Sequence, residues 1–170
     1  LAAMGLLGPN LRRVFHDGRD ESAREAMMMG ATLAGVAFSA ASVALVHGMS
    51  RPIGAHFHVP HGLSNAMLLP SVTEFSIDCA ARRYADCAVA MGIAAAGDNV
   101  LIANKKLLQE LKALNQDLQV PTPQEYGIDK TAFFNKVPVM AEQAIASGSP
   151  ANNPRIPSLE EMASLYRALW

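Results

Sequence analysis

The stretch Ala26-Met-Met-Met-Gly-Ala-Thr-Leu-Ala-Gly-Val-Ala-Phe-Ser-Ala-Ala-Ser-Val-Ala-Leu-Val-His-Gly-Met-Ser50 contains no formally charged side chain. It is long and apolar enough to raise a membrane span as one reading. Small residues dominate it, among them Gly30, Ala34, Gly35, Ala37 and Ala40, and neither an aromatic belt nor a Lys/Arg cluster flanks it. A helix buried on all sides accounts for that pattern better. No alternation of apolar and polar residues suggests a strand, so the stretch sets the fold class as all-α.

Working outward, Asp20 or Ser22 can cap this long helix, which is expected from about Ala23 toward His47, with Glu21 and Glu25 favourably placed near its start. Upstream, Leu1 to Leu7 is expected to form a helix ending at Gly8-Pro9, and Leu11 to Phe15 a second, closed by Asp17-Gly18. The apolar opening without a cap is expected to mark a missing upstream part. Downstream, Pro52, Gly54 and Pro60 are expected to break regular structure, and a helix to begin near His61 with a kink at Pro70. Asp78 to Met91 is expected to be one helix carrying both Cys79 and Cys87. Eight residues of helical rise separate these thiols by about 12 Å, beyond disulfide reach, so both are expected to be free. Asn99 to Leu118 has the leucine spacing of a half-exposed helix, and Val120 to Pro123 is a connector. Lys130 to Ser147 follows as a helix with a possible kink at Pro138, and Ser158-Leu-Glu-Glu161 is a capping box for the last one.

The chain has 170 residues, 51% of them apolar and 17% charged, with a formal net charge of −1. Such a chain can bury a substantial core, and its lack of basic runs argues against nucleic acid or an anionic membrane surface as partner. Together with the absence of a signal-peptide pattern in the first residues, this predicts a soluble, cytoplasmic chain.

The chemistry concentrates in Val46-His-Gly-Met-Ser-Arg-Pro-Ile-Gly-Ala-His-Phe-His-Val-Pro-His-Gly62. Imidazole is neutral near pH 7 and a good nitrogen ligand, so His47 and His61 invite a metal reading. Histidines near helix ends also cap carbonyls or fill polar niches, and spacing alone leaves both readings open. His58 is either a donor behind the ligands or a loop histidine facing solvent. His56 and His16 carry little information, His16 being read as a surface residue.

These pieces in order resemble the C-terminal helical domain of the iron-containing (group III) alcohol dehydrogenases. The resemblance runs through Ala34-Gly-Val-Ala-Phe38, Val46-His-Gly-Met49, Pro52-Ile-Gly-Ala55, His58-Val-Pro-His-Gly62 and Asn65-Ala-Met-Leu-Leu-Pro70. Weaker matches are Arg82-Arg-Tyr-Ala85, Val120-Pro-Thr with Glu125-Tyr-Gly127, and Asn153-Pro-Arg-Ile-Pro157. The resemblance implies a multi-helix bundle, with His47 and His61 as two ligands of a divalent ion, iron or zinc. It also implies an NAD(P)-linked interconversion of alcohol and aldehyde, in which the ion acts as Lewis acid while hydride passes to the nicotinamide. Phe38 matches an aromatic position lining the substrate channel, although a core phenylalanine is an equal reading.

Two departures bear on function. Many relatives have a histidine where Arg51 stands, and an arginine cannot serve as a neutral base. Arg51 can instead sit behind the ligands, hold an anionic group of substrate or cofactor, or form a surface ion pair, the last being the expectation. The family's Asp-x-x-x-His pair is also absent from these residues, since Asp17, Asp20 and Asp78 are followed four positions on by Glu21, Arg24 and Arg82. No glycine-rich loop for a pyrophosphate is present either, so the cofactor-binding residues stay unknown. Residues 1–170 are therefore expected to form one helical metal- and substrate-binding domain, truncated at its N-terminus, without a nucleotide domain, and inactive by itself. A non-catalytic helical module of that family, working through homo-oligomerisation or partner binding, is the alternative.

Overall fold

The computed structural model describes all 170 residues. They form eight α-helices and two short 3-10 turns, with no strand. The helices are α1 (Ala2–His16), α2 (Glu21–Ala41), α3 (Leu45–Phe57), α4 (His61–Ser76), α5 (Ala81–Ala90), α6 (Val100–Asp117), α7 (Lys130–Ala146) and α8 (Leu159–Arg167). The all-α expectation holds. No single helix is long and apolar enough to cross a membrane.

Several boundaries differ from those expected, and prolines explain most of them. Helix α1 continues through Pro9 instead of splitting there. Proline removes the backbone donor that would serve the Gly5 carbonyl, and the neighbouring Leu6 carbonyl accepts from the Asn10 side chain at 2.8 Å. Helix α3 likewise runs through Pro52 and Gly54, and α4 and α7 contain Pro70 and Pro138 without interruption. The long apolar run breaks instead after Ala41, where Ser42 adopts a left-handed φ of 66°. Cys79 lies on a 3-10 turn (Ile77–Ala80) and Cys87 on α5, so the two do not share one helix, and both are free.

The chain divides into two compact units, residues 1–41 with 80–118, and residues 42–79 with 119–170. In the first, α1 packs on α2 and α5 on α6. Gly30 is needed for the first contact, because a Cβ there would meet the Leu7 side chain at 2.8 Å. Arg12 ties α1 to α6 through Glu110 and Asp117, and Asp20 caps α2 by accepting from the Ala23 amide at 3.0 Å. Small alanines with Leu107 and Leu111 make this unit's core.

The second unit is built from α3, α4, α7 and α8 around Leu45, Met49, Ile53, Leu68, Phe133, Met140, Met162 and Tyr166, none of which is exposed. The Ser158–Glu161 capping box starts α8 as its sequence predicts. Tyr166 on α8 donates its hydroxyl to the Met49 carbonyl on α3 at 2.7 Å. Gly48 lets the turn at Pro150 approach α3, since a Cβ there would stand 3.0 Å from two ring carbons of that proline. Helix α3 is thus held on two sides beside His47.

Candidate metal centre

His47 is the third residue of α3 and His61 the first of α4, so two helix beginnings carry the two imidazoles. Helix α3 ends because His58 turns left-handed at φ 56°, its amide donating to the Gly54 carbonyl at 3.0 Å. The short connection through Val59 and Pro60 then folds α4 back against α3, and Val59 anchors it by its burial. The His47 and His61 rings come to 5.1 Å between centroids, tilted by 56°.

The ring of His47 is half-buried and that of His61 exposed. Burial holds the His47 pKa below the usual 6.5, and the nearness of His61 and Arg51 acts in the same direction. His47 is therefore neutral at pH 7, the form that donates a lone pair to a metal.

His61 has a partner on each ring nitrogen. Its Nδ1 is 3.3 Å from the Ser50 hydroxyl, and its Nε2 is 3.1 Å from the Asn65 amide nitrogen one turn further along α4. Ser50 is fully buried, and its hydroxyl donates to the His47 carbonyl at 3.2 Å. Asn65 leaves its buried Oδ1 without a hydrogen-bond partner.

The other candidates are placed as follows. Arg51 donates to the Ser149 hydroxyl at 3.2 Å, in place of the expected ion pair with a carboxylate. His58 presents an exposed imidazole, and its backbone does the visible work, its carbonyl accepting from the Tyr126 hydroxyl at 3.3 Å. His56 pairs with Gln143 at 3.0 Å. Phe38 is 57% exposed on α2 and belongs to the first unit, so it is not a core phenylalanine.

The donor chemistry fits part of a transition-metal shell. With metal–nitrogen bonds near 2.0–2.1 Å, two imidazoles on one tetrahedral ion stand about 5 Å apart centre to centre, close to the separation present here. No third His, Cys, Asp or Glu converges on the pair. The site brings together two imidazoles and no further side chain of these types.

Comparison with known proteins decides the family. The model of the Fe-containing alcohol dehydrogenase family's C-terminal part matches residues 1–170. The chain belongs to the iron-containing alcohol dehydrogenase family. It is 37% identical to the NADPH-dependent butanol dehydrogenase of Clostridium saccharobutylicum over 152 residues, covering 89% of this chain and 39% of that protein. It is 34% identical to the lactaldehyde reductase of Escherichia coli K12, with the same coverage. Its fold superposes on a crystal structure of 1,3-propanediol oxidoreductase with a TM-score of 0.91 at 32% identity, covering 99% of this chain and 44% of that one. The alcohol dehydrogenase of Oenococcus oeni matches with a TM-score of 0.90 at 28% identity, over 99% and 43% of the two chains. The chain thus corresponds to the helical C-terminal part of iron-containing alcohol dehydrogenases and spans about two fifths of the length of these relatives.

Sequence reasoning found the two histidines but missed Ser50 and Asn65. The signal was their spacing, three residues after His47 and four after His61, which puts each one helical turn beyond its histidine. Expecting Pro52 and Gly54 to break the backbone hid the first of these relations.

Proposed function

We propose that this chain is the metal- and substrate-binding part of an NAD(P)-dependent iron-containing alcohol dehydrogenase, interconverting alcohols and aldehydes. The convergence of His47 and His61, together with family membership along the whole chain, carries the reading. A divalent ion, iron or zinc, supplies Lewis acidity toward the alcohol oxygen when bound. His47 and His61 hold that ion through imidazole nitrogens, and burial around His47 favours its unprotonated ring. Packing of α4 against α3 fixes the two helix beginnings that carry the rings, which preserves the separation a shared ion requires. Arg51, one turn after His47, keeps a cation at the rim where many relatives have a titratable ring. That position then serves in orienting substrate or cofactor and not as a neutral base.

Phe38 contributes an aromatic surface to the substrate channel in this reading. Two imidazoles bind an ion far more weakly than four protein ligands, so these 170 residues by themselves hold metal weakly and turn over no alcohol. Elemental analysis of the untagged chain before and after mild chelation, with His47→Ala alongside, tests the assignment. Iron or zinc that disappears in the variant supports it. Bound metal that persists undiminished in the variant, or NAD(P)-linked turnover by the isolated chain, contradicts it.

A second reading has its own observation. Met28, Val36 and Phe38 on α2 are 72, 65 and 57% exposed, an apolar series that favours association of the chain with itself. Light scattering across a hundredfold concentration range checks it, a constant monomer mass being the contrary result.

A further inference from the structure

The hydrogen bonds around His61 run in one direction. The Ser50 hydroxyl stands within hydrogen-bond reach of the His47 carbonyl, which can only accept, and of His61 Nδ1, whose role depends on the ring's tautomer. The Asn65 amide nitrogen facing Nε2 can only donate, which places the lone pair on Nε2 and the ring proton on Nδ1, toward the Ser50 oxygen. Asn65 N–H, His61, Ser50 O–H and the His47 carbonyl form a chain in which each donor meets an acceptor.

Ser50 is completely buried between α3 and α4, and the Ser64 hydroxyl bonds at 3.1 Å to the His61 carbonyl, fixing the start of α4 beside it. Ser50 therefore has little freedom to turn its hydroxyl elsewhere. In water the Nε2–H tautomer of imidazole is the favoured one, so the arrangement works against the intrinsic preference. From this geometry we infer that Ser50 is a positioning residue, which locks His61 as the Nδ1–H tautomer and presents Nε2 as the atom that ligates the ion. The inference rests on the metal-centre reading for its purpose but not for its first test. It also gives Asn65 a role: its amide occupies the Nε2 lone pair until an ion displaces it, and a side chain whose Oδ1 is buried without a partner gives up that position at little cost.

Two-dimensional ring ¹H–¹⁵N NMR of the metal-free chain, at a pH where the histidines are neutral, distinguishes a protonated Nδ1 from a protonated Nε2. The wild type is expected to show Nδ1–H at His61, and Ser50→Ala to move the population toward Nε2–H. Ser50→Cys, of similar volume and poorer acceptor strength, is expected to shift it the same way and covers the case in which the alanine variant does not fold. Nε2–H in the wild type, or Nδ1–H unchanged in the folded variants, overturns the inference. Zinc titration of the same samples reads the purpose separately: the variants are expected to bind about tenfold or more weakly, as for other residues behind metal-bound histidines. Zinc that leaves both histidines unmoved, with Nδ1–H intact, would defeat the metal-centre reading while leaving the tautomer lock standing.

Discussion

Removing one oxygen atom, in Tyr166→Phe, tests how α3 is held beneath the His47–His61 pair. The Tyr166 ring is fully buried, and its hydroxyl donates to the Met49 carbonyl at 2.7 Å, one residue before Ser50 and two after His47. Burial raises the phenol pKa well above its usual 10, so the group remains a donor at every pH the fold survives. Phenylalanine retains the ring packing against the core and loses the hydrogen bond alone. A buried carbonyl losing its donor costs about 1–2 kcal/mol. At this chain length that lowers the midpoint of thermal unfolding by roughly 2–8 °C. Tyr166→Ala, which also empties the ring's volume, is expected to cost about 3–5 kcal/mol. Urea unfolding of the three proteins, with unchanged denaturant slopes, measures both differences. A Phe variant within about 0.3 kcal/mol of wild type, well below the usual worth of such a bond, would refute the hydrogen bond as a support of α3.

Other expectations follow from single features. His58→Gly should stabilise the chain by about 0.5–1 kcal/mol, since a left-handed residue with a Cβ costs about 1–2 kcal/mol and glycine returns part of that gain as entropy; a loss of stability in chemical denaturation would contradict the assigned turn. Gly48→Val should destabilise by about 1–3 kcal/mol despite leaving glycine behind, because its Cβ meets the Pro150 ring. A neutral or stabilising effect in calorimetry would mean that the turn yields easily. Acid should weaken the fold through Asp20, whose pKa is lowered first by the Ala23 amide, then by Ser22 and Arg13. Its contribution is fully present above its ordinary 3.8 and fades as pH falls through the lower folded value. Asp20→Asn should flatten the acid limb of a stability–pH curve, and an unaltered limb would count against this cap.

The fold class was legible because charge-free small residues and leucine spacing have one inexpensive solution in water, packed helices. The cap at Asp20 and the capping box at Ser158 were legible too, since they depend on neighbours in sequence. Proline positions misled, because the hydrogen bond a proline removes from a helix can be offset by packing, and that packing is set by residues distant in sequence. At the site, His47 and His61 stood out by residue type, whereas their approach to 5.1 Å depends on the left-handed turn at His58, a residue whose backbone preference no local pattern announced. Ser50 was hidden for a related reason: a buried serine is chemically ordinary until the ring it faces is known.

The most direct test of a shared ion is a zinc titration of the ¹⁵N-labelled chain, following the ring signals of all five histidines. The account predicts that His47 and His61 respond together, with one ion per chain, while His16 and His56 stay unchanged. A response from only one of the pair, or an equal response from every histidine, would contradict it.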